Sequence, residues 1–330
     1  MTSSLKIKIL ADLKNGLWGG GNQFLKNLKS ELIRKNAYEE NTDKADAIIF
    51  NSYQELLPAI KLKIKYPTKR FIHRLGPIFF YHRGIRWKFL DKLILTVSSK
   101  ISDYTIFQSS WSLRESKKIG LINIPFFIIP NAADNNIFYP VTEKPDDKKI
   151  KLISVSWSPN PNKGLDFFSF LDNNLDFSKF ELTLIGNFPL KLKNIKIIPP
   201  ADPEEIAAHL RLCDIFLSPT KYEACSNAIL EALSCRLPVI ALDSGGNKEL
   251  IQNGGELFKD EKELLIKINL ISKNIIQYQN HIKIKSLDEI TEEYLKAAAQ
   301  SLSLPAKKAG IFFLLKTKII LKIFSIYRRI

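Results

Sequence analysis

The sequence predicts an α/β protein of two domains, and three observations carry that expectation. Short apolar runs alternate with amphipathic stretches of helical length, as in parallel βα units. The 330 residues exceed what one core comfortably holds and suit two domains of ordinary size. Pro140–Asp147 is Pro-rich, charged and aperiodic, which marks an interdomain linker. The expected division is a first domain over 1–140, a second over 141–300 and a basic tail over 301–330.

In the first domain Lys6–Asp12 reads as a strand, followed by a glycine-rich loop and an amphipathic helix. Strands are expected at 45–51, 69–74 and 103–108, and helices at 53–65 and 86–100. The second domain opens on KLISVSWSPNPNKGLDFF: a strand, a Pro/Asn loop and a helix starting near Lys163-Gly164. Strands at 182–186 and 195–198 and a helix at 203–212 lead into the most informative stretch.

That stretch is Asp214–Ile251, DIFLSPTKYEACSNAILEALSCRLPVIALDSGGNKELI. It reads as strand, loop, helix, strand, loop, helix, with Ser226 or Asn227 capping the first helix. In a parallel sheet the loops 220–227 and 244–248 open at the same edge, where ligands bind. Glu223 then lies in the loop before the helix and Glu231 roughly 7 Å along the helix axis from its start. Between them the N–H groups of Cys225, Ser226 and Asn227 form a helix N-terminus suited to a phosphate. A sugar nucleotide, with hydroxyls at both ends and a diphosphate between, fits that sequence of groups.

The E-x7-E spacing, the LPVI strand and the GG-x-x-E loop resemble the donor site of retaining glycosyltransferases of the GT-B fold, glycosyltransferase family 4. The SWSPNPNKG run resembles a bacterial branch that builds surface polysaccharide. The resemblance implies two Rossmann-like domains facing across a cleft, Glu223 on the transferred sugar and Glu231 on the ribose hydroxyls. It also implies that Lys163 reaches the donor diphosphate, offsetting charge on the leaving group. Gly20 and Gly21 stand where the family carries a glycine loop near the donor phosphates, although three glycines can simply make a turn. His73 stands where relatives place a histidine beside the sugar; the competing reading is a structural histidine at a strand end. The segment PNAADNNIFYP is similar to the family's N-G-V-D-x-x-x-F-x-P boundary motif, with Ala132 and Ala133 in place of Gly-Val. Two further departures stand out: Trp157 where many relatives have arginine, and Arg236 where glycine is usual.

Charge is unevenly placed. Residues 1–140 carry 22 Lys/Arg against 11 Asp/Glu, 141–300 carry 20 against 23, and 301–330 carry 7 against none. The first domain and the tail are thus expected to face an anionic membrane surface. The tail, PAKKAGIFFLLKTKIILKIFSIYRRI, is too interrupted to span a bilayer and reads as a basic amphipathic helix. On a wheel Lys318, Lys322, Ser325 and Arg329 oppose Phe313, Ile320, Phe324 and Tyr327; the choice is a surface anchor or a helix packed on the first domain. The three cysteines have no metal spacing, and Lys6 and Lys8 interrupt the first apolar run, so a cytoplasmic, peripherally attached protein is expected.

The sequence reading is therefore a retaining, metal-independent glycosyltransferase. It would move a sugar from a nucleoside-diphosphate sugar to a glycan or lipid-linked acceptor, needing no cofactor beyond that co-substrate. No D-x-D occurs. Two alternatives stay open: a sugar-nucleotide epimerase or glycan phosphorylase on the same fold, and a non-catalytic binding protein at a membrane surface. Nucleic acid is not an expected partner, because no recognised fold or aromatic-basic motif accompanies the charge.

Overall fold

The computed structural model describes residues 5–14, 19–120, 124–141 and 148–327, with side chains up to 322. Most of the expected linker and part of the glycine loop lie outside these residues. Two compact units emerge. Unit 1 comprises 1–13, 25–130 and 288–330; unit 2 comprises 14–24 and 131–287.

Unit 1 contains β1 (Ile7–Leu10), α1 (Gly20–Arg34, whose first turn falls in unit 2), β2 (Ala47–Asn51), α2 (Leu56–Lys65) and β3 (Arg70–Arg74). It continues with α3 (Phe79–Arg83), a 3-10 turn at Ile85–Trp87, α4 (Lys88–Ile101), β4 (Tyr104–Phe107), α5 (Ser110–Ile119) and β5 (Phe126–Ile128). The five strands are parallel and follow chain order across the sheet.

Unit 2 is doubly wound. Its elements are β6 (Ile150–Ser156), α6 (Leu165–Asn174), β7 (Phe180–Gly186), β8 (Lys196–Ile198), α7 (Pro203–Arg211) and β9 (Ile215–Ser218). Next come α8 (Asn227–Ser234), β10 (Val239–Leu242), α9 (Asn247–Ile251), β11 (Gly255–Phe258), α10 (Glu261–Ser272) and α11 (Ile275–His281). The strand order β11-β10-β9-β6-β7-β8 reverses between β6 and β9. Alternate residues of its strands serve opposite cores: Ile153, Phe216, Val239 and Ala241 pack with α7 and α8, while Leu152, Leu217, Ile240 and Leu242 pack with α6 and α10. Burial on both faces explains why β9 (IFLS) and β10 (VIAL) read as short, almost wholly apolar runs.

Helix starts are fixed locally. Asp202 accepts from Glu205 N–H (2.9 Å) ahead of α7, Asp260 accepts from Glu263 N–H (2.9 Å) ahead of α10, and Ser109 and Ser112 form a capping box on α5. At the end of α8 Arg236 adopts φ +63, so a left-handed cap forms without glycine. Such a residue costs on the order of 1 kcal/mol, and its guanidinium donates to the Gln279 carbonyl (2.8 Å). The cysteines at 213, 225 and 235 are buried and form no disulfide.

The chain's end returns to unit 1. The last helix of the βα series, α12 (Leu287–Ser303), and the tail helix, α13 (Ile311–Tyr327), group almost wholly with unit 1. Lys35 pairs with Glu292 (2.8 Å), Arg70 Nε donates to the Ser301 carbonyl (2.8 Å), and Lys307 N–H donates to Asp103 (2.8 Å). The tail is a helix, but α13 packs on α2 with Leu314, Thr317 and Leu321 turned inward. The buried line therefore runs between the two faces of the expected wheel. The packed alternative describes this helix, which Leu314, Thr317 and Leu321 seat on the core of unit 1.

Candidate donor site

The reversal between β6 and β9 is where a doubly wound sheet opens a crevice at the carboxyl ends of its strands. The loops leaving β6, β9 and β10 meet there. Lys163, at the end of a 3-10 turn over Pro161–Lys163, donates from Nζ to Glu223 Oε1 at 2.9 Å. The same two loops are laced by Lys221 N–H to the Asn162 carbonyl (2.8 Å). Gly164 (φ +73) sits so close to Pro219 that a Cβ would lie 2.5 Å from the proline ring.

The third loop fixes Glu223 from the other side. Gly246 N–H donates to the Glu223 carbonyl (2.8 Å), and Ser244 Oγ accepts from Tyr222 N–H (3.0 Å). Asn247 Nδ2 reaches the carbonyls of Thr220 (3.3 Å) and Leu242 (3.0 Å). Gly245 (φ +65) packs against the Glu223 main chain at a distance no side chain permits, with an added Cβ only 2.2 Å from the Glu223 oxygen. Tyr222, directly before Glu223, has φ +61, a left-handed conformation rare for an aromatic residue. The main chain of the Glu223 loop is thus held on two sides.

Lys163 and Glu223 keep 22% and 28% of their side-chain surface. An ion pair that wet contributes roughly 0–1 kcal/mol, so stability alone gives little reason for the arrangement. Both groups can exchange each other for a ligand: a cation for phosphate, a carboxylate for sugar hydroxyls.

Ser226 is the N-cap of α8, and its hydroxyl makes no capping bond. The first-turn N–H groups are therefore left to partners outside the helix. The side chains around this turn do structural work. Cys225 Sγ accepts from Asn131 N–H (3.3 Å), Asn131 Nδ2 donates to Asn227 Oδ1 (2.7 Å), and Asn227 Nδ2 donates to the Gly20 carbonyl (2.8 Å). Gly20 thus reaches the α8 N-terminus, its Cα against the Asn227 amide, whereas Gly21 faces open space.

Glu231 follows one turn after Asn227. Although the residue keeps some solvent contact, burial of its carboxyl raises the pKa from 4.5 to about 7. Between those values the folded state holds a proton that the unfolded chain has released. Stability therefore falls as pH rises through that window, and the cost is complete above pH 7. Glu231→Gln is expected to raise the melting temperature at pH 8, by an amount equivalent to on the order of 1–3 kcal/mol, and to leave it unchanged at pH 4. Ribose hydroxyls donating to the carboxylate would favour the ionised form, so nucleotide binding at pH 7 should release a proton. Calorimetry in two buffers of different ionisation enthalpy measures this, and a buffer-independent heat would remove Glu231 from the ribose.

His73 belongs to unit 1 and is fully buried. Its ring stacks on Phe50 (centroids 4.4 Å apart), Nε2–H donates to the Ser52 carbonyl (3.1 Å), and burial lowers its pKa to about 3. This is the setting of a neutral structural histidine, and its place among the catalytic candidates rests on the family resemblance alone. Unit 2 brings together Lys163, Glu223, Gly20 and the turn 225–227, with Glu231 on the same helix. Sequence reading passed over Asn131 and Asn247, although Asn131 opens the segment similar to the family boundary motif. Their roles are contacts to distant main chain and side chains, which spacing does not reveal.

Residues 151–274, the segment holding Lys163, Glu223 and Glu231, match a sequence family. That family is Glycosyl transferases group 1. The match to this group 1 family covers the sheet, its reversal and all three site loops after β6, β9 and β10. A relative named "Probable sucrose-phosphate synthase" from Thermosipho melanesiensis is 28% identical over 195 residues, covering 51% of this chain and 46% of that protein. The match thus spans less than half of that relative's length. Two solved structures resemble the whole chain. Sucrose-phosphate synthase from Thermosynechococcus elongatus aligns with a TM-score of 0.68 at 14% identity, covering 98% of each chain. Anabaena HepE in complex with UDP-glucose aligns with a TM-score of 0.64 at 15% identity, covering 97% of this chain and 99% of that one. The fold is accordingly α/β of the GT-B class with two Rossmann-like units.

Proposed function

We propose that this chain is a retaining glycosyltransferase that moves a sugar from a nucleoside-diphosphate donor to a hydroxyl of a glycan or lipid-linked acceptor. The observation that carries the reading is the Lys163–Glu223 pair at the sheet reversal, inside the segment that matches the group 1 family. Lys163 and the N–H groups at the start of α8 take the diphosphate, Glu223 the sugar and Glu231 the ribose. In the reaction the bond from the anomeric carbon to the diphosphate oxygen breaks, and its electron pair leaves with the nucleoside diphosphate. The acceptor oxygen forms the new bond on the same face and loses its proton to the departing phosphate. Lys163 and the amides stabilise the charge that develops there, as preorganised donors do, and no metal ion is assigned to this step. A place in bacterial surface polysaccharide synthesis, at the inner face of the membrane, is the setting we propose.

The test begins with a thermal-shift screen of UDP-, GDP-, ADP-, CMP- and dTDP-linked sugars, UDP-sugars first because HepE is bound to UDP-glucose. The stabilising donor is then incubated with and without saccharide acceptors. Acceptor-dependent release of nucleoside diphosphate, with the anomeric configuration kept in the product and the rate unchanged by chelator, is expected. Release of nucleotide with an epimerised sugar and no acceptor would replace this reading by the epimerase. No binding of any donor would leave a non-catalytic protein.

A further inference from the structure

Unit 1 carries a surface whose composition calls for a partner. Between Leu56 and Ser102 the sequence holds eleven Lys/Arg and one acid, Asp91. That carboxylate is turned inward, accepting the N–H groups of Phe79 and Phe80 at 2.9 Å each. Within this basic run the 3-10 turn and the first turn of α4 push two apolar side chains into solvent: Ile85 is 71% exposed and Phe89 63%. Arg86, Lys88 and Lys92 are exposed around them, and the Arg83 guanidinium lies 4.4 Å from the Trp87 ring centroid. An aromatic ring with a cation on it, beside bare apolar side chains, suits a wet–apolar boundary.

The tail helix adds to the same side of the sheet. α2 packs against both α4 and α13. Leu90, Ile94, Leu314 and Leu321 share one core with Phe50 and Phe71. What α13 leaves outside is again apolar: Phe312 is 87% exposed, and Leu315 and Ile319 follow it at helical spacing. Lys316 and Lys322 are exposed on that helix, and residues 301–330 contain no acid. Two separate pieces of chain thus present apolar side chains with surrounding cations.

We propose that this face of unit 1 docks on an anionic phospholipid bilayer. Ile85, Phe89, Phe312, Leu315 and Ile319 enter the headgroup layer, and the neighbouring lysines and arginines meet lipid phosphates. Charge decides the occupant. A second copy in a two-fold dimer would set this basic surface against itself, whereas an anionic leaflet gains about fivefold in affinity per cation. Among the described residues no helix is long and apolar enough to cross a membrane, so the attachment proposed is interfacial.

Co-sedimentation of the full chain with vesicles tests this. Vesicles with roughly one-third phosphatidylglycerol should bind at least about tenfold more tightly than pure phosphatidylcholine, and the difference should shrink at roughly 0.5 M salt. The double variant Ile85→Glu/Phe89→Glu and the single variant Phe312→Glu should each lose about tenfold or more, with unchanged thermal melts. Ile266→Glu, an equally exposed position on unit 2, should bind like the parent. Equal binding to neutral vesicles, or variants that bind like the parent, overturns the proposal. So does self-association without vesicles that Phe89→Glu abolishes, since a second copy would then cover the face. None of these variants touches the donor site, so transfer to a soluble acceptor should be unchanged and failure here leaves the transferase reading standing.

Discussion

Replacing Lys163 by alanine is expected to lower the turnover of sugar transfer by about 10²–10³-fold, the loss that follows removal of one preorganised donor from developing negative charge. The ammonium is held 2.9 Å from Glu223 before any substrate arrives, so little reorganisation is needed when the diphosphate departs. The fold should hardly notice, because a pair this exposed contributes little to stability. The expected signature is a large fall in kcat with a small change in melting temperature, measured by initial rates over a range of donor concentrations and by a thermal melt. Lys163→Arg should recover part of the rate, since charge is kept and only reach and shape change. A kcat within about threefold of the parent would mean that Lys163 does not act on the leaving group.

Gly245→Ala should damage both fold and site. A methyl group there meets the Glu223 oxygen at 2.2 Å and its nitrogen at 2.8 Å, and the residue must also hold φ +65. Backbone strain and forced displacement together cost about 2–4 kcal/mol, or roughly 5–15 °C in a unit of this size. Because the atoms displaced belong to Glu223, transfer should fall by at least about 10²-fold even at temperatures where the variant stays folded. Gly21→Ala supplies the contrast: its Cβ would meet open space in the first turn of α1. It should gain about 0.5–1 kcal/mol of stability. If donor affinity drops nevertheless, the loop binds phosphate; if it does not, the glycines make a turn. A Gly245→Ala variant as stable and active as the parent would show that Glu223 is not placed by this loop.

The central strands β9 and β10 of unit 2 were legible because burial on both faces makes them short apolar runs, and the short helices between the strands left parallel pairing as the simplest arrangement. The start of α8 at Ser226 was legible because serine is a residue type favoured at helix starts, although its hydroxyl makes no capping bond here. β11 was missed: GELF is four residues long, opens on glycine and carries a glutamate, so only its pairing with Val239–Leu242 makes it a strand. His73 shows a different limit. A histidine beside arginines and aromatics at a strand end reads equally as a ligand contact or as core, and only the stacked Phe50 ring and the Ser52 carbonyl show it enclosed.

By itself the sequence determined the alternation of strands and helices, the two-domain scale, the uneven charge and the segment that matches the group 1 family. Each of these follows from properties of neighbouring residues. The tertiary structure decided where the sheet of unit 2 reverses, that Lys163 meets Glu223 across sixty positions of chain, and that Gly245 holds that glutamate's main chain. It also decided that Leu314, Thr317 and Leu321 of α13 are buried while Phe312, Leu315 and Ile319 are exposed. Those outcomes depend on pairing and packing between distant segments, whose free energy is set only once the whole chain has closed around them.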